Sequence, residues 1–234
     1  MFTRDTFRYF AEAKKHRKSK VWFEKNRALY DDNVLAPMQE FIGHLRQSLG
    51  KDLPSIVIDP KKVSQPFYRA NRIPIDGSVV KIQSSLHFSE RATSMFETNP
   101  GIYFSMGAGE EGNVMAVGLY MPSGRQLRML REHLAKSPDV LSKILKAPKL
   151  RKSWGGLAGE RFVRFPRGYD EIGPGAEYLW HKSFYLGRHP TKVEMMKSTF
   201  FKAAADDFKA ALPFLRWARQ VVGTYSGPGM RRER

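Results

Sequence analysis

Cysteine is absent from all 234 residues. That absence excludes disulfides, thiolate-bound metals, iron–sulfur ligation and thiol nucleophiles by inventory alone. Long apolar runs are missing as well. Lys, Arg, Asp or Glu interrupts every hydrophobic segment before it reaches the roughly 20 residues that a membrane-crossing helix requires. The opening MFTRDTFRYFAEAKKHRKSK has no apolar stretch of signal-peptide length, and Asp5 and Glu12 stand where transit sequences are poor in acids. The expectation is a cytoplasmic chain with no membrane partner.

Acidic residues are scarce relative to basic ones. The 23 Asp and Glu face 40 Lys and Arg, a formal charge of +17. An excess of this size draws polyanions and steers anionic ligands over one Debye length, about 8 Å at physiological salt. Motifs of common chemistries are also lacking. The histidines at 16, 44, 87, 133, 181 and 189 have no ligand spacing, so no metal and no cofactor are expected. His181, beside Trp180 and Lys182, reads either as an acid–base group or as an imidazole packed at a helix end. No Gly-rich phosphate loop ends in Lys-Ser or Lys-Thr, and no Gly-x-Ser-x-Gly elbow occurs. Other phosphoryl chemistry stays open, as do enzymatic activity itself and the oligomeric state.

What is present suffices for a core: 41% of residues are hydrophobic, with 16 Phe and 9 Tyr. Periodicity predicts two helices over residues 4–30, separated by a basic turn, with Ser19 capping the second, and a third over 33–49. Alternating or β-rich runs at 55–59, 67–71, 81–88, 101–106 and 113–120 predict strands. Helices follow over 123–136 and 138–145, then a basic stretch over 146–152. A last amphipathic segment over 197–222 should kink or restart at Pro213. The order predicts an α+β fold, a mixed or mostly antiparallel sheet of five or more strands covered by N-terminal and C-terminal helices. One domain over 1–222 is expected, with a flexible basic tail over 223–234.

Gly107-Ala108-Gly109-Glu110-Glu111-Gly112 has dinucleotide-fingerprint spacing, but a strand rather than a helix follows it, so it reads as a hairpin loop. Asp31-Asp32 and Asp206-Asp207, next to basic residues, read as solvated charge pairs. Trp22 and Phe23 among Lys18, Lys20, Lys25 and Arg27 offer either a stacking platform for single-stranded nucleic acid or core aromatics. Arg69 and Arg72 flank a strand edge, followed by Asp76 in a turn and Lys81 on the next strand. Such a group can clamp a carboxylate or phosphate, with Asp76 orienting one guanidinium; an internal Arg–Asp pair fixing the turn is the alternative.

These residues resemble a known family. Trp22-Phe23 with Arg27 and Tyr30, Pro37, the Arg69 to Lys81 stretch, Gly101-Ile102-Tyr103-Phe104, Arg164-Phe165-Pro166-Arg167-Gly168-Tyr169-Asp170 and Lys182-Ser183-Phe184 are similar to the uncharacterised bacterial and fungal group called domain of unknown function 2461. The similarity runs from about Phe7 to Trp217. Where the family pattern has an Arg followed by Phe-Ser-Lys-Asp-Lys-Ser-Pro-Tyr-Lys, this chain keeps Arg72, Asp76, Ser78 and Lys81 in register and loses two lysine-type positions and the tyrosine. A site built there is weakened or altered accordingly. The resemblance implies a continuous fold and no particular reaction.

The leading functional expectation is a pocket for a small anionic or phosphate-bearing ligand, bound by Arg69, Arg72, Lys81 and Arg167. Were it catalytic, Asp76 or Asp170 would transfer the proton and Tyr169 would donate a hydrogen bond. The alternative is a non-catalytic nucleic-acid-binding protein using the Lys14 to Arg27 region, the Arg125, Arg128 and Arg131 face and the Lys146 to Lys152 stretch. An acidic protein partner is a third reading.

Overall fold

The computed structural model describes residues 1–89 and 99–223. The tail expected over 223–234 therefore lies outside the described residues beyond Gly223. The chain opens with α1 (Arg4–Lys15), where the Thr6 N–H donates to Thr3 Oγ1 at 3.4 Å and the Thr3 N–H donates to Thr6 Oγ1 at 3.1 Å. That reciprocal box satisfies two of the N–H groups a helix start otherwise leaves unpaired. Ser19 caps α2 (Lys20–Lys25), its Oγ accepting the Trp22 N–H at 3.1 Å, as its position in the sequence leads one to expect. α3 (Arg27–Tyr30) passes through a π-helical turn at Asp31–Leu35 into α4 (Ala36–Leu49). Pro37 stands in the first turn of α4, directly after the π-helical turn.

Three strands follow, β1 (Gln83–Ser89), β2 (Gly101–Gly107) and β3 (Val114–Leu119). Then come α5 (Gly124–Lys136), α6 (Pro138–Lys146), α7 (Pro148–Trp154), β4 (Leu157–Ala158), α8 (Ala176–Leu179), β5 (Phe184–Arg188) and α9 (Lys192–Met195). α10 (Phe200–Ala210) and α11 (Leu212–Val222) close the described chain, broken where Pro213 enters the first turn of α11. The strands form one antiparallel sheet in the order β1-β2-β3-β5-β4, so the fold is α+β. Among the described residues no helix is long and apolar enough to cross a membrane.

The middle of the chain departs from expectation in two places. Residues 55–59 are not a strand, although Ile56 and Ile58 are buried and Val57 between them is exposed. Asp59 instead closes a turn, accepting the Lys61 N–H on its side chain at 2.9 Å and the Lys62 N–H on its carbonyl at 2.9 Å. The run at 67–71 contracts to a single bridge between Phe67 and Val80, followed by a 3₁₀ turn at Ala70–Arg72. The Gly107 to Gly112 segment is a hairpin connection. Asn113 Oδ1 accepts the Gly107 N–H at 3.2 Å, and the Ser105 hydroxyl donates to the Gly112 carbonyl at 2.7 Å.

The chain divides into two units. Among the described residues the first comprises 1–87, 103–115 and 188–206, the second 88–89, 99–102, 116–187 and 207–223. In the first, Phe2, Phe41, Phe104, Phe200 and Phe201 form an aromatic core, with Phe41 to Phe104 at 4.7 Å and Phe2 to Phe201 at 5.1 Å between ring centres. In the second, α11 packs against α5 and α6, burying Leu130, Leu134, Leu141, Phe214 and Leu215. The basic 146–152 stretch is mostly α7, tied down where the Trp154 Nε1–H donates to the Asp207 carbonyl at 2.9 Å and the Ser153 hydroxyl to the Asp207 carboxylate at 2.6 Å.

Candidate anion site

The basic turn between α1 and α2 supplies the densest positive charge in the first unit. Lys14, Lys15, His16, Arg17, Lys18 and Ser19 line an open hollow of about 460 Å³. The turn is held by a segment far along the chain. The Arg17 carbonyl accepts both the Val79 N–H at 2.8 Å and the Val80 N–H at 2.9 Å. Its guanidinium reaches Asp76, with Nη2 to Oδ2 at 3.0 Å.

Asp76 sits at the tip of a hairpin whose arms run from 66 to 81. The arms are closed by the Tyr68 N–H to the Val79 carbonyl at 3.0 Å and the Lys81 N–H to the Pro66 carbonyl at 2.7 Å. Gly77 adopts a φ of 76° at the tip, a conformation glycine takes without steric cost. The Ser78 hydroxyl faces the Asp76 carboxylate, the Ser78 N–H donates to its Oδ1 at 2.9 Å, and Arg17 and Lys18 lie close. Together they hold the Asp76 carboxyl below the usual carboxylate range.

Aromatic rings carry the surrounding cations. Lys81 Nζ lies 5.8 Å from the Tyr68 ring centre. Lys20 Nζ lies 5.7 Å from that of Phe67, which itself meets Phe23 edge-on at 4.5 Å. Burial, with nearby Arg69 adding to it, lowers the Lys81 ammonium below the ordinary lysine value. Arg69 precedes the 3₁₀ turn and Arg72 ends it, both as exposed side chains. Phe23 is the core aromatic of α2, fully buried, whereas Trp22 is half-buried and stacks on His16 at 5.0 Å with planes 12° apart.

Arg69, Arg72, Asp76 and Lys81 thus belong to the first unit, and Arg167, Tyr169 and Asp170 to the second. Within the first, Arg17 is the residue that sequence reading missed as a partner of Asp76. Its only signal was its place in a basic turn, and its partner is far away in the chain. In the second unit Arg167 and Asp170 are exposed, while Tyr169 is half-buried beside Arg131. Arg131 is half-buried where Arg125 and Arg128 are exposed, its guanidinium lying 4.8 Å from the Phe162 ring centre. Among the described residues no three His, Asp or Glu gather as metal ligands.

His181 is a packed imidazole, 3% exposed, bridged through its backbone to Arg161 and donating a ring N–H to the Ala158 carbonyl. Burial and the Arg161 charge pull its pKa from 6.5 down to about 4, against the pull of that hydrogen bond. Between those two values the unfolded chain takes up a proton that the folded chain refuses. Stability should therefore fall as pH drops through that window. The loss should reach about 2 kcal/mol once solvent near the site is allowed for. Urea titrations across that range, repeated on His181→Phe, check this; an unchanged pH slope in the variant would refute it.

A family described as conserved hypothetical protein (DUF2461) matches residues 5–217, nearly the span of the resemblance noted in the sequence. No curated protein and no solved structure matches the chain.

Proposed function

We propose, for a chain that belongs to the DUF2461 family of conserved hypothetical proteins, that the α1–α2 turn and the 66–81 hairpin together bind a small phosphate-bearing or other anionic ligand. The observation that carries this reading is the Arg17–Asp76 link, backed by two N–H groups donated to the Arg17 carbonyl. It joins two basic segments at a hollow and orients one guanidinium with a carboxylate while leaving its other N–H groups for a ligand. Arg17 and Lys18 are the ligand contacts, and Arg69, Arg72 and Lys81 add positive potential from the hairpin.

Asp76 is a positioning residue in this reading. A carboxyl held below its usual range is ionised at neutral pH, so it neither donates a proton nor accepts one readily. Arg167, Tyr169 and Asp170 are not required.

Inorganic pyrophosphate, titrated calorimetrically at fixed ionic strength, tests the reading. Binding by the unaltered chain should weaken about tenfold in Arg17→Gln, since a charge-assisted hydrogen bond is lost. Matching melting curves for the two proteins would rule out unfolding as the cause. Equal affinity in the variant sinks the site.

Nucleic acid is the second reading, favoured by the stack of His16, in the same basic turn, on Trp22 of α2, since stacked rings beside lysines suit an unpaired base. An oligothymidylate should then bind with a salt slope near about −0.7 for each phosphate neutralised, and Trp22→Ala should weaken it. Pyrophosphate binding without oligonucleotide binding decides for the small anion.

A further inference from the structure

Arg131 lies on α5 with its guanidinium centred 4.8 Å from the middle of the Phe162 ring. Its Nε and Nη2 are both buried, and neither donates to an acceptor among the described residues. These two nitrogens are not an arbitrary pair. They form the side-on edge of the guanidinium, whose two N–H bonds run parallel and match the two oxygens of a carboxylate. Buried donors are ordinarily paired, above all when they carry charge, so a charged fork with no acceptor beneath the surface calls for one from outside the described residues.

The surroundings narrow the ligand's chemistry. Lys182 also lies over Phe162, 5.8 Å from the ring centre, but its ammonium is engaged by Glu160 at 2.8 Å. Of the two cations over Phe162, Arg131 is therefore the one without an ion pair among the described residues, and its single charge suits one carboxylate rather than a phosphate dianion. Phe162 supplies an apolar wall, and Tyr169, near enough to act on the Arg131 charge, brings a phenol hydroxyl able to donate to a bound oxygen.

We infer that the Arg131 fork, with Phe162 and Tyr169, is a binding site for a small monocarboxylate. It belongs to the second unit and shares no residue with the anion site around Arg17, so either can fail without the other.

The test follows the Arg131 Nε–H signal by nitrogen–proton NMR in the unaltered, full-length chain, titrated with acetate or with inorganic phosphate at constant ionic strength. Acetate should move that signal downfield along a saturable curve, and phosphate should not. In Arg131→Lys, which keeps the charge and loses the fork, acetate affinity read from the Phe162 and Tyr169 ring signals should drop about tenfold. A signal that acetate leaves in place overturns the inference, as does one that phosphate moves at lower concentration. Should Arg131→Lys not fold, the titration of the unaltered chain decides alone. Arg17→Gln should leave the acetate curve unchanged, which separates this site from the one proposed above.

Discussion

Gly118→Ala is expected to destabilise the protein by roughly 4–5 kcal/mol, combining backbone strain with forced overpacking. Gly118 lies in β3 at a φ of 128°, a region that side chains with a Cβ rarely enter. A methyl group there would meet the Phe184 carbonyl oxygen at 2.4 Å, Phe214 Cε1 at 2.7 Å and Tyr185 Cα at 2.8 Å. Two of those atoms are backbone of β5, so relief requires a strand to move rather than a rotamer to turn. Gly43→Ala in α4 is the control. Nothing stands within 4 Å of its missing Cβ. An alanine there should stabilise the helix by about 0.5–1 kcal/mol. Urea unfolding followed by far-UV circular dichroism measures both. A Gly118→Ala chain within about 1 kcal/mol of its parent would show that β3 and β5 are not pressed together as described.

The second large effect is expected at Phe104. Its ring is fully buried, parallel to Phe2 with planes 8° apart at 5.8 Å, and within 4.7 Å of Phe41 and 6.3 Å of Phe200. Truncation to alanine removes both the transferred apolar area and the partners' contacts, for about 4 kcal/mol in total. Phe104→Leu, nearer in volume, should cost about 1.5 kcal/mol. The gap between the two variants, read from urea midpoints at a common slope, is the measurement. Similar losses in both would mean that ring geometry rather than filled volume holds this core.

Local signals in the sequence carried a long way. Ser19 is a helix cap because a hydroxyl before a helix start meets an N–H three residues on, a relation contained within one turn of chain. The Gly107 to Gly112 hairpin and the restart at Pro213 are local in the same sense. β4 and β5 were illegible for the opposite reason. β4 is two residues long and is a strand only because Leu157 and Ala158 pair with Leu186 and Tyr185. Residues 55–59 show the reverse error: a sound alternating pattern finds no ladder, and alternation alone does not make one. The same distance effect governs the site. Asp76 was recognisable as an arginine partner, but Arg69 and Arg72 were the arginines in view. The one that takes it, Arg17, sits in a turn that the sequence assigns to a rival purpose. Arg131 likewise reads as one of a row of exposed arginines, and nothing in α5 announces that Phe162 will cover it.

The strand order has a consequence for how the chain is made. β1, β2 and β3 are neighbours in sequence and in the sheet, whereas β3's other neighbour, β5, begins at Phe184, long after β3 ends at Leu119. During translation the ribosome delivers a nearly finished three-stranded ribbon and then α5 to α8 before the strand that seals it emerges. Pairings so distant form slowly. For that interval the outer side of β3 is the nascent chain's exposed seam, and Gly118 on it marks where the backbone of β5 will come closest once it arrives.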